Sequence, residues 1–329
     1  MTDNQIIDKF SQQGDLSPRL AEITGTVCRE TGFVLGEELH RRFIYEKNKT
    51  WRVKYGGMYK DKPAVLLIDG MKHEEDEEVI RIAFREQAKG SRVRPQMTFI
   101  HQAFDEVKGY GFTIEERVDG PMLYAPDENP EIASAAFAEF YRELKKTVSK
   151  PFWPNAQGTA LEFSMKQLDK WEKLSAEKDP GVVEKMKPFL DRLREGIARG
   201  MEGRGLEFVH PHLCGPDIWL GSDGEYIVFV NHFWSWRQPA YDTAFPIWHQ
   251  WMHLPIEKRS PEDMKRITEA WMKQELADPI ALRAMLLNRV FGSLILDLPA
   301  KAKLAPENNE TVAPLYQAFM AEGERLMLV

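Results

Sequence analysis

The sequence has little cysteine and no excess of basic charge. Its 329 residues include only two cysteines, Cys28 and Cys214, too few for a disulfide framework or a four-thiolate zinc site. The net charge is −7 and the pI is about 5.7, so we expect no basic face of the kind that binds nucleic acid. No base is identifiable beside Cys214, and we assign this thiol no nucleophilic role.

Long hydrophobic runs are also missing. No run approaches the ~18 apolar residues that a membrane-spanning helix needs, and the first residues, MTDNQIIDKF, lack the basic and apolar regions of a signal peptide. We therefore expect a cytoplasmic protein without a membrane partner. The chain is nevertheless 43% hydrophobic and contains nine Trp, which excludes a disordered protein and predicts a sizeable folded core.

The first 118 residues have the pattern of short helices followed by a small sheet. Ile6, Ile7 and Phe10 lie at helical spacing, and so do Leu20, Ile23 and Val27, so the first 40 residues are interpreted as helices. The acidic patch Glu74–Glu78 opens a further helix. Alternating or continuous apolar runs predict strands at Thr50–Tyr55, Ala64–Ile68, Met97–Phe104 and Gly111–Val118.

After Asp119 the pattern becomes helical, with one embedded hairpin. Amphipathic helices are predicted around the stripe from Ile132 to Val148, over Leu161–Leu174 and over Val182–Ile197. The run IWLGSDGEYIVFV, starting at Ile218, predicts a hairpin that turns at Gly221–Gly224. This order of elements predicts an α+β protein with two lobes.

The most informative segment is Phe208–Ala244, FVHPHLCGPDIWLGSDGEYIVFVNHFWSWRQPAYDTA. A His-x-x-Leu loop (His210 to Leu213) precedes the hairpin, an Asn follows its second strand, and a Pro-x-x-Asp helix start ends at Asp242. This order resembles the catalytic segment of the aminoglycoside phosphotransferase and choline kinase superfamily. The resemblance implies a protein-kinase-like fold, with a small antiparallel-sheet lobe over residues 1–118 and a mainly helical lobe over residues 119–329.

The resemblance also assigns residues to the catalytic positions of that superfamily. It implies that His212 stands where the family has its catalytic Asp, that Asp217 stands at the metal-binding Asn, and that Asn231 stands at the metal-binding Asp. His210 and Asp242 match the family's structural residues around this loop. The amide and the carboxylate have thus exchanged places, and an imidazole replaces the carboxylate that orients the attacking hydroxyl.

Upstream, the resemblance assigns cofactor-binding positions with similar departures. Asn48 lies in EKNKTW, where the family has a glycine-rich phosphate loop, and Leu67 stands at the phosphate-binding lysine. Glu78 would be the partner of that lysine, and Glu116 would lie in the hinge. Without glycines, backbone amides approach phosphates less easily. Other lysines that could reach the phosphates are Lys60, Lys62 and Lys72.

Three functions remain open on these residues. The first is a pseudokinase that binds a small molecule or a protein partner in the interlobe cleft. The second is an active small-molecule phosphotransferase that uses ATP and Mg²⁺, with Asp217 and Asn231 holding the metal and His212 acting as base. The third is a non-kinase enzyme whose chemistry uses the cleft histidines or a bound transition metal. The candidate metal ligands are His210, His212, Asp217, His249 and His253.

Overall fold

The computed structural model describes residues 17–44, 50–70, 77–154, 158–229, 231–304 and 309–328. The predicted helix around Ile6 and Phe10 lies outside the described residues, and so does Asn48. The described helices are α1 (Ser17–Thr31), α2 (Glu77–Gln87), α3 (Pro130–Thr147), α4 (Ala160–Lys178), α5 (Pro180–Met201), α6 (Tyr241–Met252), α7 (Pro261–Met272), α8 (Pro279–Gly292), α9 (Leu298–Leu304) and α10 (Asn309–Met327).

The same described residues contain ten strands. They are β1 (Val34–Ile44), β2 (Thr50–Tyr59), β3 (Lys62–Asp69), β4 (Val93–Pro95), β5 (Thr98–Asp105), β6 (Tyr110–Glu116), β7 (Glu207–Val209), β8 (Ile218–Leu220), β9 (Tyr226–Val228) and β10 (Ser235–Arg237). The chain divides into an N-terminal unit (Met1–Glu86 with Arg94–Asp119) and a C-terminal unit (Gln87–Val93 with Gly120–Val329). The predicted α+β class is confirmed.

The N-terminal unit is built on a five-stranded antiparallel sheet in the order β1-β2-β3-β6-β5. The run Ala64–Ile68 is largely buried in β3, as its continuous apolar sequence predicts. Helix α1 contributes Leu20, Ile23 and Val27 to the same core as Val53 and Leu66. Their spacing of three and four residues places all three side chains on one helix face.

One prediction for this unit is wrong. The sequence pattern predicts helices over the first 40 residues, but Val34–Ile44 forms β1 at the edge of the sheet. Its Leu35 and Leu39 are exposed, and its pairing with β2 is interrupted by two register shifts around Glu38. An edge strand with charges and irregular pairing carries no clean alternation of apolar and polar residues, so periodicity could not identify it.

The C-terminal unit consists mainly of helices, several of which begin at a side-chain cap. Asn129 caps α3, Asp278 caps α8, and Thr159 forms a capping box with Glu162 at the start of α4. The predicted hairpin is confirmed as β8 and β9, which pair from Ile218–Val228 to Leu220–Tyr226.

Close backbone contact fixes the position of Gly120 in this unit. A Cβ on Gly120 would lie 1.6 Å from the Leu220 carbonyl oxygen, so only glycine allows the approach.

One continuous stretch, Pro279–Ala302, is long and apolar enough to cross a membrane by length and composition. However, 78% of its most apolar window is buried inside the protein. This is the pattern of a core helix, because a spanning helix would expose its apolar residues. The expected cytoplasmic location stays a prediction.

Candidate functional site

The candidate catalytic loop follows β7 in the C-terminal unit. His210 is buried, Leu213 is fully buried, and Gly215–Asp217 forms a single 3₁₀ turn. The Asp217 backbone N–H donates to the Cys214 carbonyl (3.0 Å), and the Phe229 N–H donates to the Asp217 carbonyl (2.9 Å). These bonds tie the loop to the β8–β9 hairpin. The Asp217 end of the loop is therefore held against the hairpin by a backbone hydrogen bond.

The His212 ring lies between two phenylalanine rings. It stacks on Phe233, with ring centres 4.5 Å apart and planes at 14°, and it contacts Phe245 at 4.6 Å. Its Nδ1 atom lies 3.6 Å from Oδ2 of Asp217 and makes no hydrogen bond among the described residues. The imidazole is partly exposed, but the two rings limit its rotation.

The Asp217 carboxylate is engaged inside its own loop. Its Oδ2 accepts hydrogen bonds from the backbone N–H of Cys214 (3.2 Å) and from the Cys214 thiol (2.9 Å). Burial raises the pKa of the Cys214 thiol, and the charge of Asp217 raises it further. The thiol therefore stays protonated at neutral pH and acts as a donor to Asp217.

Asn231 is completely buried at the start of the 3₁₀ turn Asn231–Phe233, which follows β9. Its side-chain Nδ2 donates to the Val228 carbonyl (2.9 Å), while its Oδ1 has no hydrogen-bond partner among the described residues. Mg²⁺ prefers about six oxygen ligands that usually include carboxylates. The two residues offer one unsatisfied amide oxygen and one carboxylate whose Oδ2 already accepts two hydrogen bonds. These donors do not fit the standard Mg²⁺ site of a phosphotransferase.

The histidine cluster does not form a metal site either. His249 and His253 stack with ring centres 4.1 Å apart, and the His253 Nδ1 bonds to the His249 carbonyl (2.7 Å). Burial and the neighbouring His253 lower the pKa of His249 to about 4. Across the described part of the chain, no group of three His, Cys, Asp or Glu side chains is placed to hold a metal ion. The proposed transition-metal ligands therefore do not converge.

Asp242 connects helix α6 to helix α3. Its carboxylate accepts a hydrogen bond from the Tyr141 hydroxyl (2.8 Å) and lies 3.5 Å from the Lys145 ammonium. Burial raises the pKa of nearby Glu207, and the charge of Asp242 adds to that rise. Asp242 thus organises a buried polar group around Tyr141, next to the strand that leads into the candidate loop.

In the N-terminal unit, Leu67 is almost fully buried on β3. Its cross-strand neighbours are Lys54 on β2 and Thr113 on β6, so a half-buried lysine lies directly opposite the residue that the resemblance assigns to the phosphate-lysine position. Sequence spacing did not identify Lys54, because cross-strand neighbours are set by the register of the sheet. Lys60 lies instead at the exposed turn after β2.

Glu78 and Glu116 have different surroundings in this unit. Glu78, at the start of α2, lies 3.9 Å from Arg85. Glu116, at the end of β6, pairs with Arg94 and accepts the Met97 backbone N–H at 2.8 Å.

The buried ion pair of α2 involves a residue that sequence reasoning missed. Arg81 on α2 pairs with Glu115 on β6 at 2.5 Å, with both side chains nearly inaccessible, and it donates to Thr98 Oγ1 at 2.7 Å. The cation therefore comes from the helix and the carboxylate from the sheet, whereas the resemblance assigned the carboxylate, Glu78, to the helix. The sequence signal was a single arginine on the apolar face that also carries Ile80 and Phe84.

Comparison with solved structures identifies the fold. APH(4)-Ia, an aminoglycoside phosphotransferase, matches with a TM-score of 0.55 and 14% identity over 94% of this chain and 98% of that chain. A thermostable mutant of it, in a ternary complex with ADP and hygromycin B, gives the same TM-score and identity over 93% and 98%. A protein of the aminoglycoside phosphotransferase type from Ralstonia eutropha matches with a TM-score of 0.53 and 11% identity over 94% and 98%.

The spectinomycin phosphotransferase APH(9)-Ia, in an AMP-bound complex, matches with a TM-score of 0.51 and 10% identity over 90% of this chain and 98% of that chain. No protein-family model matches the sequence, and no curated protein matches it significantly. The similarity is thus one of fold: the chain has the protein-kinase-like α+β fold of aminoglycoside phosphotransferases. The resemblance seen in Phe208–Ala244 is confirmed at this level.

Proposed function

We propose that this chain uses the aminoglycoside phosphotransferase fold to bind a small molecule and does not carry out standard Mg²⁺-dependent phosphoryl transfer from ATP. The observation that carries the proposal is that His212, an imidazole and not a carboxylate, is packed against two aromatic rings. Phosphoryl transfer uses a carboxylate to orient the attacking hydroxyl, and the ring found here is held between Phe233 and Phe245. On this proposal the protein is a pseudokinase.

Two further observations support the same conclusion. Asp217 accepts two hydrogen bonds from Cys214, and an apolar residue, Leu67, stands at the position that the resemblance assigns to the phosphate lysine. The fold neighbours supply the ligand class: the APH(4)-Ia mutant is in complex with hygromycin B and ADP, and APH(9)-Ia is named for spectinomycin. A small molecule is therefore favoured over a protein partner, and ATP binding without transfer is compatible with the proposal.

The test measures transfer and binding separately. Phosphoryl transfer from ATP is measured with and without Mg²⁺, and thermal stability is measured under the same conditions. A ligand present at 100 times its Kd adds about 2.7 kcal/mol to the free energy of unfolding, which is easily detected. The matched positive control is the variant that restores the family side chains, Leu67→Lys with His212→Asp, Asp217→Asn and Asn231→Asp.

We expect no Mg²⁺-dependent turnover from the natural sequence under conditions that detect turnover in a known phosphotransferase. Mg²⁺-dependent turnover that is lost in Asp217→Ala would overturn the proposal. A gain of Mg²⁺-dependent nucleotide stabilisation in the restored variant would support it directly, because only the four side chains differ.

The second candidate is an active phosphotransferase, and one observation favours it. Lys54 lies directly opposite Leu67 and could supply the missing positive charge to the phosphates of ATP. The matched pair for this candidate is Lys54→Ala against Lys60→Ala. Turnover or nucleotide binding that depends on Lys54 and not on Lys60 would favour the active enzyme.

A further inference from the structure

The C-terminal unit contains a cluster of polar side chains that the proposed function does not use. Arg237 ends β10, Tyr241 begins α6, and Arg289 lies in α8. The Arg289 guanidinium carbon is 4.3 Å from the centre of the Tyr241 ring, and that of Arg237 is 5.8 Å from it. Two positive charges therefore share one aromatic ring in a region that is otherwise a helical core.

Three amide side chains lie beside this ring. Gln167 Oε1 accepts hydrogen bonds from Gln238 Nε2 (3.1 Å) and from Asn288 Nδ2 (3.2 Å). Gln238 and Asn288 are completely buried. Gln167 also acts on Tyr241, since it is among the groups that lower the pKa of that hydroxyl. We call Arg237, Arg289, Tyr241, Gln167, Gln238 and Asn288 the arginine cluster.

The arginine cluster has unsatisfied hydrogen-bonding atoms of both kinds. Among the described residues, no partner is found for Nε and Nη2 of Arg289, for Nε of Arg237, or for the side-chain oxygens of Gln238 and Asn288. Arg289 is only 8% exposed. The Arg289 side chain hydrogen-bonds Tyr241, which leaves these two of its nitrogens without a partner, and buried guanidinium donors normally have one.

No carboxylate of the described chain supplies that partner. The other nearly inaccessible arginine, Arg81, has Glu115 at 2.5 Å, but neither Arg237 nor Arg289 makes an ion pair within 4.0 Å in the parts of the chain described. Arg289 acts to lower the pKa of the Asp297 carboxyl group without forming an ion pair with it. That carboxyl group accepts a hydrogen bond from Ser293 (3.2 Å), and burial raises its pKa. Burial acts to raise the pKa of Tyr241, yet Arg289 and Arg237 bring it below its usual value. The local field is therefore positive.

The cluster adjoins the candidate catalytic loop through one aromatic ring. The Arg289 guanidinium carbon is 5.1 Å from the centre of the Phe245 ring and 5.3 Å from that of Trp248. Phe245 also contacts the ring of His212, at 4.6 Å. A ligand at the cluster would thus be separated from His212 by a single side chain.

We propose that Arg237 and Arg289 bind the anionic group of a small molecule, a carboxylate or a phosphate, whose hydroxyl groups donate to the free oxygens of Gln238 and Asn288. Arginine is suited to this role because its planar fork of N–H donors matches both kinds of oxyanion. The inference deepens the proposed function by naming the class of small molecule. A polycationic aminoglycoside would be repelled by the same two charges.

The alternative is that Arg289 only packs on the rings of Tyr241, Phe245 and Trp248 as a cation–π contact. The two roles predict different behaviour of Arg289→Met. A packing role predicts a lower melting temperature and an unchanged response to anions. An anion site predicts that removing an uncompensated charge leaves the ligand-free protein as stable or more stable, while the response to anions is lost.

The experiment measures melting temperature and calorimetric binding with sodium phosphate and with sodium malonate, each against sodium chloride of equal ionic strength. The variants are Arg289→Met and Arg237→Met. The matched control is Arg192→Met, which removes a surface arginine paired with Glu324. We expect an anion-specific rise in the natural sequence and in Arg192→Met, and at least tenfold weaker binding in the other two variants. The stronger of the two anions identifies the ligand group as phosphate or carboxylate.

The inference is overturned if the natural sequence responds to these anions no more than to chloride, or if Arg289→Met keeps the response. If Arg289→Met does not fold, Arg289→Lys tests the same site, because it keeps the charge but loses the fork of N–H donors. We then expect weakened anion binding, and unchanged binding would contradict the site. None of these measurements contains ATP or Mg²⁺. Failure here therefore leaves the pseudokinase proposal standing, and ATP turnover leaves this inference standing.

Discussion

Lys54 and Leu67 are directly opposite each other on neighbouring antiparallel strands, on the same face of the sheet. The pair places an ammonium group opposite the residue that the resemblance assigns to the phosphate-lysine position. A lysine introduced at position 67 would face the Lys54 ammonium, and like charges directly opposite each other in a sheet are destabilising.

We expect Leu67→Lys to destabilise the protein, because it removes a buried apolar side chain and places a second ammonium opposite Lys54. The double variant Lys54→Ala with Leu67→Lys should recover about 0.5–1 kcal/mol of that loss. Chemical denaturation of the two single variants and the double variant measures this coupling. Equal losses in the presence and absence of Lys54 would show that the two positions do not interact.

Removing one member of the buried Arg81–Glu115 pair should destabilise the protein far more than removing both. Glu115→Gln leaves a guanidinium in a nearly inaccessible site, and breaking such a pair costs about 3–5 kcal/mol. The double variant Arg81→Met with Glu115→Leu should cost much less, since no charge remains buried. Denaturation by urea measures both. A single variant as stable as the natural protein would contradict the burial of this pair.

The two cysteines should differ in reactivity. Burial and Asp217 raise the pKa of Cys214, so its thiolate is scarce at neutral and mildly basic pH. Burial also raises the pKa of Cys28, but Cys28 is only partly buried. We expect iodoacetamide at pH 8 to label Cys28 first and to label Cys214 only after unfolding. Mass spectrometry of labelled peptides measures this order, and rapid labelling of native Cys214 would contradict the Asp217 contact.

His249 predicts a specific pH dependence of stability. Its pKa is lowered to about 4 by burial and by His253, whereas the unfolded chain has a value of about 6.5. Below pH 6.5 the unfolded state therefore binds the proton before the folded state does. As a result the free energy of unfolding decreases, by up to about 3 kcal/mol near pH 4. Above pH 6.5 this contribution is complete.

The variant His249→Phe isolates that contribution, because it keeps an aromatic ring without a titrating group. The free energy of unfolding of His249→Phe minus that of the natural protein should increase as the pH is lowered from 6.5 to 4. The same difference should be constant above pH 7. A difference that does not change with pH would mean that His249 titrates normally in the folded protein.

The sequence predicted the parts of the fold that depend on local periodicity. The buried run Ala64–Ile68 and the hairpin turn at Gly221–Gly224 lie where their patterns placed them. The apolar stripe of α3 was predicted with one error, because Ile132 is exposed while Phe137 and Phe140 are buried. Ile132 lies in the first turn of the helix, where the periodic pattern does not determine which residues are covered.

The site was predictable only as a set of positions along the chain. Motif spacing located His212, Asp217 and Asn231, but it could not show that the Cys214 thiol donates to Asp217 or that Phe245 packs on His212. Arg237 and Arg289 are 52 residues apart in sequence and carry no motif. Only the packing of α8 against α6 brings them to the same tyrosine ring.

The edge strand β1 has a consequence for the behaviour of the protein in solution. Val34, Leu35 and Leu39 are exposed on it, and among the described strands β1 has a neighbour on one side only. An exposed apolar edge can act as a template for the strand of another molecule. Glu37 and Glu38 interrupt this apolar surface, and the register shifts around Glu38 bend the strand. Charge and irregular pairing together oppose the addition of a strand from another molecule and so reduce aggregation. The same two features make this strand hard to identify in the sequence.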